Sequence, residues 1–186
     1  MIIAITGTIA SGKGKVADIL KKKGFEHHSF SSEIRAVAKE RGIEVNRLTL
    51  SKLGADLRKE SPHDSILAKR ILEKVQLDKD YVIDGLRDMD EVRSLERFEK
   101  EKGKRFILVG IDADPHIRFE RLKKRGRHGD PQTFDEFKRI DDRELEGNEG
   151  QEVGKCLEHA SYILMNDGDL NDLEKKLDEL LSAERE

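Results

Sequence analysis

Apolar and polar positions along this chain follow two alternating periods. Met1–Ile5 is a short unbroken apolar run, and Lys13–Lys23 then places Val16, Ile19 and Leu20 on one helical face. The pattern predicts a buried strand over Ile2–Thr6 followed by an amphipathic helix. Phe25–Phe30 predicts a second short strand. Helical stretches follow near Ser32–Arg41, Asn46–Glu60 and Pro62–Gln76, the last opened by Ser61-Pro62, a capping hydroxyl ahead of a proline. Tyr81-Val82-Ile83 predicts a strand ending in Asp84-Gly85, and Asp88 with Glu91 opens a helix to about Lys102. Arg105–Ile111 is the next strand, and Asp114-Pro115 caps a helix that runs to Arg125. Thr133-Phe134-Asp135-Glu136 has the form of a capping box for a helix to about Glu146. Ser161–Met165 predicts the last strand, and Asp169 starts a closing amphipathic helix.

Five strands separated by helices imply an α/β fold with a parallel sheet covered on both faces. Such sheets bind ligands beyond the carboxyl ends of their strands. The segments in that place are Gly7–Gly14, Ser29–Arg35, Asp84–Arg87, Asp112 and Asn166-Asp167-Gly168. Most of them are polar, glycine-bearing or charged beyond what a plain connector needs.

The chemistry is most legible in the first of these. Gly7-Thr8-Ile9-Ala10-Ser11-Gly12-Lys13 has the glycine–four residues–glycine–lysine spacing of a phosphate loop, set between a buried strand and a helix. Backbone N–H groups gathered at a helix N-terminus suit the dense negative charge of phosphate. Gly7 lets the chain leave the strand sharply, Gly12 lets the backbone approach, and Lys13 adds a mobile cation. The hydroxyl that such loops place next, for magnesium, is missing: Gly14 and Lys15 stand there. Magnesium would rest on phosphate oxygens, water and a carboxylate from another strand. Asp84, ending the third strand, is placed for that role, against the alternative of a turn cap for Gly85.

Phosphoryl transfer spreads charge over several oxygens and needs cations beyond one lysine. Arg35 follows the second strand, Arg58 lies on a later helix, and Arg87 stands just past the third strand. Arg118, Arg121 and Arg125 recur at helical spacing. They lead into Gly126-Arg127-His128-Gly129-Asp130-Pro131, a glycine-flanked tip with the composition of a lid, and Arg139 and Arg143 follow it. Arg121 and Arg125 read as functional, whereas Arg118, Lys123 and Lys124 read as a solvated helix face. Arg139 and Arg143 read equally as phosphate ligands or as partners of Asp141, Asp142 and Glu144.

Composition narrows the classes. The 186 residues suit one domain, 40% of them are charged, and the net charge is only −3, so no global field points to nucleic acid or an anionic membrane. Aromatic residues make up 5% with no Trp, which disfavours stacking on bases. No apolar run nears the length of about 18 residues that a membrane span needs. The single cysteine, Cys156, lies in an apolar-periodic stretch and reads as an inert core residue; with no disulfide possible, the expected location is the cytoplasm. The six histidines lack the paired spacing of a zinc site.

Taken together, these residues resemble the P-loop nucleoside monophosphate kinase family, most specifically an archaeal-type branch related to adenylate kinase. The loop wording also resembles deoxynucleotide monophosphate kinases and dephospho-coenzyme A kinases. The resemblance implies a three-layer P-loop kinase sandwich with strand order 2-3-1-4-5. It also implies an acceptor-binding helical segment over about 31–77 and a short arginine-bearing lid over about 125–140. It implies ATP and Mg2+ as cofactors, held by Gly7, Thr8, Ile9, Ala10, Ser11, Gly12, Lys13, Gly14, Lys15, Arg121 and Arg125, with Asn166, Asp167 and Gly168 touching adenine. Ser32, Arg35, Arg58, Asp84, Arg87, Arg139 and Arg143 would bind the acceptor. Lys13, Asp84, Arg87, Arg121 and Arg125 would serve catalysis. The lid is short and carries no cysteine cluster, and Ala10 replaces a glycine common in adenylate kinases.

The expected activity is transfer of the γ-phosphoryl group of ATP to a nucleoside monophosphate-like acceptor, with neither nucleic acid nor membrane as partner. A phosphate acceptor needs no general base. Two alternatives stand beside it: phosphorylation of the ribose hydroxyl of dephospho-coenzyme A, for which Glu33 would have to serve as base, and a nucleotide-binding ATPase switch. No motif fixes the oligomeric state.

Overall fold

The computed structural model describes residues 1–60, 63–127, 129–147 and 152–185. Strand β1 (Ile2–Gly7) is buried along its whole length. Its apolar run suits a central strand, with neighbours on both edges and helices over both faces. It pairs in parallel with β3 (Tyr81–Asp84) on one side and β4 (Phe106–Asp112) on the other. Strand β2 (Glu26–Ser29) lies outside β3 and β5 (Tyr162–Met165) outside β4, so the order is β2-β3-β1-β4-β5, as expected.

Because side chains alternate across a strand, β1 feeds two cores. Ile2 and Ala4 join Tyr81, Ile83 and Leu108 on one face. That face is covered by α2 (Phe30–Glu40), α3 (Arg47–Glu60), α4 (Ile66–Leu72), α5 (Met89–Lys102) and α8 (Val153–His159). Ile3 and Ile5 join Val82, Ile107 and Val109 on the other, under α1 (Lys13–Lys22) and α9 (Leu170–Ala183). A third cluster, Phe119, Leu122 and Phe137, joins α6 (Pro115–Arg125) to α7 (Phe134–Glu146).

The capping signals act as read. Asp114 accepts from the N–H groups of His116 and Ile117, and Thr133 and Glu136 exchange both bonds of a capping box. Three expectations need correction. Phe30 is not strand but the first residue of α2, so strand passes to helix with no loop between. Helix α4 starts at Ile66 on a Ser65 cap and ends at Leu72, far shorter than Pro62–Gln76; Ser61 and Pro62 lie outside the described residues. Helix α8 was not predicted as an element: seven residues without a side-chain cap give little periodic signal, although Val153 and Cys156 are buried as the pattern required.

Register aligns the ends of the strands. Ile5 lies opposite Asp84, Asp84 opposite Ser29, Gly7 opposite Ile111 and Asp112 opposite Met165. The segments that follow therefore meet at one edge of the sheet.

Candidate active site

The loop after β1 is shaped by conformations that few residues adopt. Gly7 has φ 146°, and a Cβ there would lie 2.1 Å from the Ile111 carbonyl oxygen. Gly12 has φ 106°, and its Cβ would meet the Asn166 amide nitrogen at 2.2 Å. Ala10 sits at φ 59°, the left-handed region where glycine is at ease and alanine is strained. That explains the glycine expected at this place.

The loop is held from outside through its carbonyl groups. Asn166 Nδ2 donates to Ser11 O at 2.7 Å, Arg118 donates to Ile9 O at 3.3 Å, and Arg121 donates to Ser11 O at 3.5 Å. Thr8 Oγ1 donates to Asp112 Oδ1 at 2.6 Å, which ties the loop to the end of β4. Lys13 Nζ takes two further carbonyls, Gly7 O at 2.7 Å and Thr8 O at 2.6 Å. The N–H groups of Ala10, Gly12, Lys13 and Gly14 have no acceptor among the described residues, and the buried Ser11 hydroxyl has no partner either. Carbonyls bound on one side and N–H groups free on the other make a cradle for an anion. The residues present thus fit a phosphate group.

Burial, with the positive charge of Arg87 second, lowers the Lys13 pKa from its ordinary 10.5 to about 8. Glu144 and Asp84 act in the opposite direction. Asp84 lies 3.1 Å from His27 Nε2 and is partly exposed. Among the described residues no three His, Cys, Asp or Glu side chains gather as a metal site. Gly14 faces open space, with nothing within 4 Å of the point where a Cβ would stand, and Lys15 is exposed.

The arginines divide into two groups. Of those singled out in the sequence, four hold carboxylates among the described residues. Arg58, nearly buried, pairs with the fully buried Glu91 at 2.9 Å, and Glu91 also accepts the Arg87 backbone N–H at 2.8 Å. Arg87 pairs with Glu144 at 2.9 Å. Arg118 grips Asp141 with both ends of its fork, one bond of 2.8 Å, and also donates to Ala113 O at 2.8 Å. Arg125 pairs with Asp130 at 2.7 Å. The reading of Arg118 as solvated is corrected: its side chain is 3% exposed and stacks on Phe137, whereas Lys123 and Lys124 are exposed as expected.

The second group has no carboxylate partner among the described residues. Arg121 donates to Asn166 O at 2.8 Å as well as to Ser11 O, beside the loop. Arg35 is exposed and bonds only Ser31, next to the exposed Ser32. Arg139 is exposed on the Asp135 carbonyl, and Arg143 is exposed with no ion pair; Asp141, Asp142 and Glu144 pair instead with Arg118, Lys138 and Arg87. His128, at the tip, lies outside the described residues.

Glu33 is also corrected. It is buried between Arg70 and Lys74 and is not available as a base. Asn166 and Asp167 are committed to Ser11 O and to the Asp114 N–H (2.7 Å), and Gly168 is exposed beside Asp172. Sequence reasoning placed Asp112 at this edge and offered Asp141 and Glu144 as partners of Arg139 and Arg143, but missed the partners these acids and Glu91 actually hold: Thr8, Arg118, Arg87 and Arg58.

Residues 6–138 match the family described as an AAA domain. The UPF0200 protein of Thermococcus onnurineus is 35% identical over 97% of this chain and 96% of its own length, and that of Thermococcus gammatolerans is 36% identical over 97% and 94%. The chain belongs to the UPF0200 family. Among solved structures, shikimate kinase from Aquifex aeolicus superposes with a TM-score of 0.56 at 18% identity, covering 99% of this chain and 96% of that one. Shikimate kinase from Bacteroides thetaiotaomicron gives 0.57 at 16%, covering 98% of each. The fold of this UPF0200 chain is therefore that of the P-loop kinases, as its resemblance to them implied. Among the described residues no helix is long and apolar enough to cross a membrane.

Proposed function

We propose that this UPF0200 chain is an ATP-dependent small-molecule kinase that transfers the γ-phosphoryl group to a nucleoside monophosphate-like acceptor in the cytoplasm. The observation that carries the reading is the loop itself: N–H groups of Ala10, Gly12, Lys13 and Gly14 without acceptors among the described residues, beside the Lys13 ammonium. The loop and Lys13 bind the β- and γ-phosphates, and Arg121, already at the loop, shields the charge that develops on the γ-phosphoryl oxygens. The bond from the γ-phosphorus to the bridging oxygen breaks, an acceptor phosphate oxygen bonds to that phosphorus, and ADP leaves. Asp84 would hold Mg2+ through water, with phosphate oxygens completing the shell; when bound, the ion neutralises phosphate charge.

A phosphate acceptor is favoured over an alcohol because the end of β2 offers no base. Ser29, Phe30 and Ser31 carry no carboxylate, and Glu33 is sealed between Arg70 and Lys74. Arg35, on the helix that leaves this strand end, has no carboxylate partner among the described residues and suits the acceptor's charge. The AAA-domain match favours a second reading, an ATPase switch that hydrolyses ATP with no acceptor.

The test is a coupled phosphotransfer assay with ATP and Mg2+ against all nucleoside monophosphates and dephospho-coenzyme A, with a no-acceptor arm. Acceptor-dependent ADP formation is expected with a monophosphate, and Lys13→Ala should abolish it while leaving the thermal unfolding curve in place. Equal ADP formation in every arm would favour the switch. Undiminished turnover by Lys13→Ala would remove the loop from the reaction.

A further inference from the structure

Two carboxylates on one face of α7, three residues apart, reach the two arginines that flank the phosphate loop. Asp141 holds Arg118, and Glu144 holds Arg87. The pairs differ in kind. The Arg118–Asp141 side chains are 3% and 1% exposed, and Arg118 is further fixed by Ala113 O, Ile9 O and the Phe137 ring. The Arg87–Glu144 side chains are 34% and 22% exposed. Water reaches the second pair, so its partners can exchange at little cost.

Glu144 is not needed to place the Arg87 backbone. The Arg87 N–H is held by the buried Glu91, which Arg58 locks in turn, and the Arg87 carbonyl accepts from the Glu152 N–H at 2.7 Å. What Glu144 engages is the guanidinium alone. It does so close enough to the loop for both charges to act on Lys13.

We infer that Glu144 is a specificity-determining side chain that occupies Arg87 in place of the acceptor's phosphate and yields it only to a group of higher negative charge. This rests on the kinase reading above and sharpens its acceptor class. A guanidinium fork accepts carboxylate and phosphate with the same geometry, so a phosphate dianion can displace the carboxylate monoanion. An uncharged alcohol cannot. Exchange needs no movement of the lid, because Asp141 keeps α7 anchored while Glu144 changes rotamer. The pair therefore admits acceptors that carry a phosphate group and leaves Arg87 neutralised against those that do not.

The experiment uses the full chain with its loop saturated by a non-hydrolysable ATP analogue and Mg2+, and inorganic phosphate as the probe, titrated calorimetrically. Glu144→Gln should bind phosphate about two- to fivefold more tightly than the unaltered chain, the scale of a partly exposed ion pair. The gain should vanish when Arg87→Ala is added. Glu144→Asp, one methylene shorter, should shift affinity in the same direction and serves if the glutamine variant fails to fold. Unchanged or weaker phosphate binding in the folded variants overturns the inference, as does a gain that survives Arg87→Ala. So does a collapse of kcat for Glu144→Gln in the coupled phosphotransfer assay with phosphate affinity unmoved, which would make Glu144 a proton acceptor. If the ATP analogue does not bind the unaltered chain, the kinase reading falls and takes this inference with it; if it binds and Glu144→Gln shows no gain, only the inference falls.

Discussion

Lys13 keeps its ammonium on two carbonyl oxygens of its own loop, and burial there with the Arg87 charge nearby lowers its pKa to about 8. The direction has a measurable consequence. In the folded chain the lysine loses its proton above about pH 8, while in the unfolded chain it keeps it up to its ordinary 10.5. The unfolded state therefore binds more protons across that window, and this group makes the free fold more stable as pH rises through it. Ligand binding runs the other way. Phosphate favours the charged lysine and raises its pKa, so ATP binding takes up a proton above about pH 8. Affinity for ATP should be flat below pH 7 and fall by up to about tenfold per unit above pH 8, the limit for one linked proton. Calorimetry at pH 9 in two buffers of different ionisation enthalpy reads the uptake directly. No uptake would show that the lysine is already charged in the free loop. The glycines of this loop were legible from spacing alone; the strain at Ala10 was not, because only the backbone angle reveals it.

Helix α7 shows where sequence pattern stops. Its start was readable, since the Thr133–Glu136 box is a local signal. Its inward face was not. Arg118 and Asp141 are 23 residues apart and look solvated in sequence, yet each is almost fully buried against the other. Arg58 and Glu91, 33 residues apart, repeat the case. A buried ion pair leaves no periodic trace, because pattern reasoning assigns charge to the surface. The pair also sets the behaviour of the element. Asp141→Ala would strand a buried guanidinium that also holds Ile9 O of the loop. A destabilisation of about 3–5 kcal/mol is expected, the usual effect of removing one partner from a buried pair. Replacing both residues by apolar ones of similar volume, Arg118→Met with Asp141→Leu, should recover most of it. Denaturant unfolding measures both. Equal losses for the single and double variants would mean that Arg118 matters through its carbonyl bonds rather than its charge.

At the scale of the whole molecule, stability and chemistry occupy different places. The two cores lie on the faces of the sheet, and the candidate site lies at the carboxyl ends of its strands. The faces were legible, because the apolar run of β1 and the helical periodicities encode them. The edge was legible only as a row of unusual loops, since which side chains meet there depends on strand order and register. This separation makes two perturbations independent. Leu177, fully buried in α9, belongs to the core beneath the helices α1 and α9. Leu177→Ala should cost about 2–5 kcal/mol through lost burial and a residual cavity. ATP at a hundred times its Kd should stabilise any chain with an intact loop by about 2.7 kcal/mol. For a chain of this size that corresponds to a rise in Tm of roughly 5–10 °C. The rise should be the same in Leu177→Ala as in the unaltered chain, although the starting Tm is lower. It should be lost in Lys13→Ala, where the starting Tm is kept. Thermal unfolding of the three chains with and without ATP and Mg2+ checks both halves. A core variant that lost the ATP-induced rise would show that the loop depends on the packing beneath α9. The edge would then not be an independent binding surface laid on a finished fold.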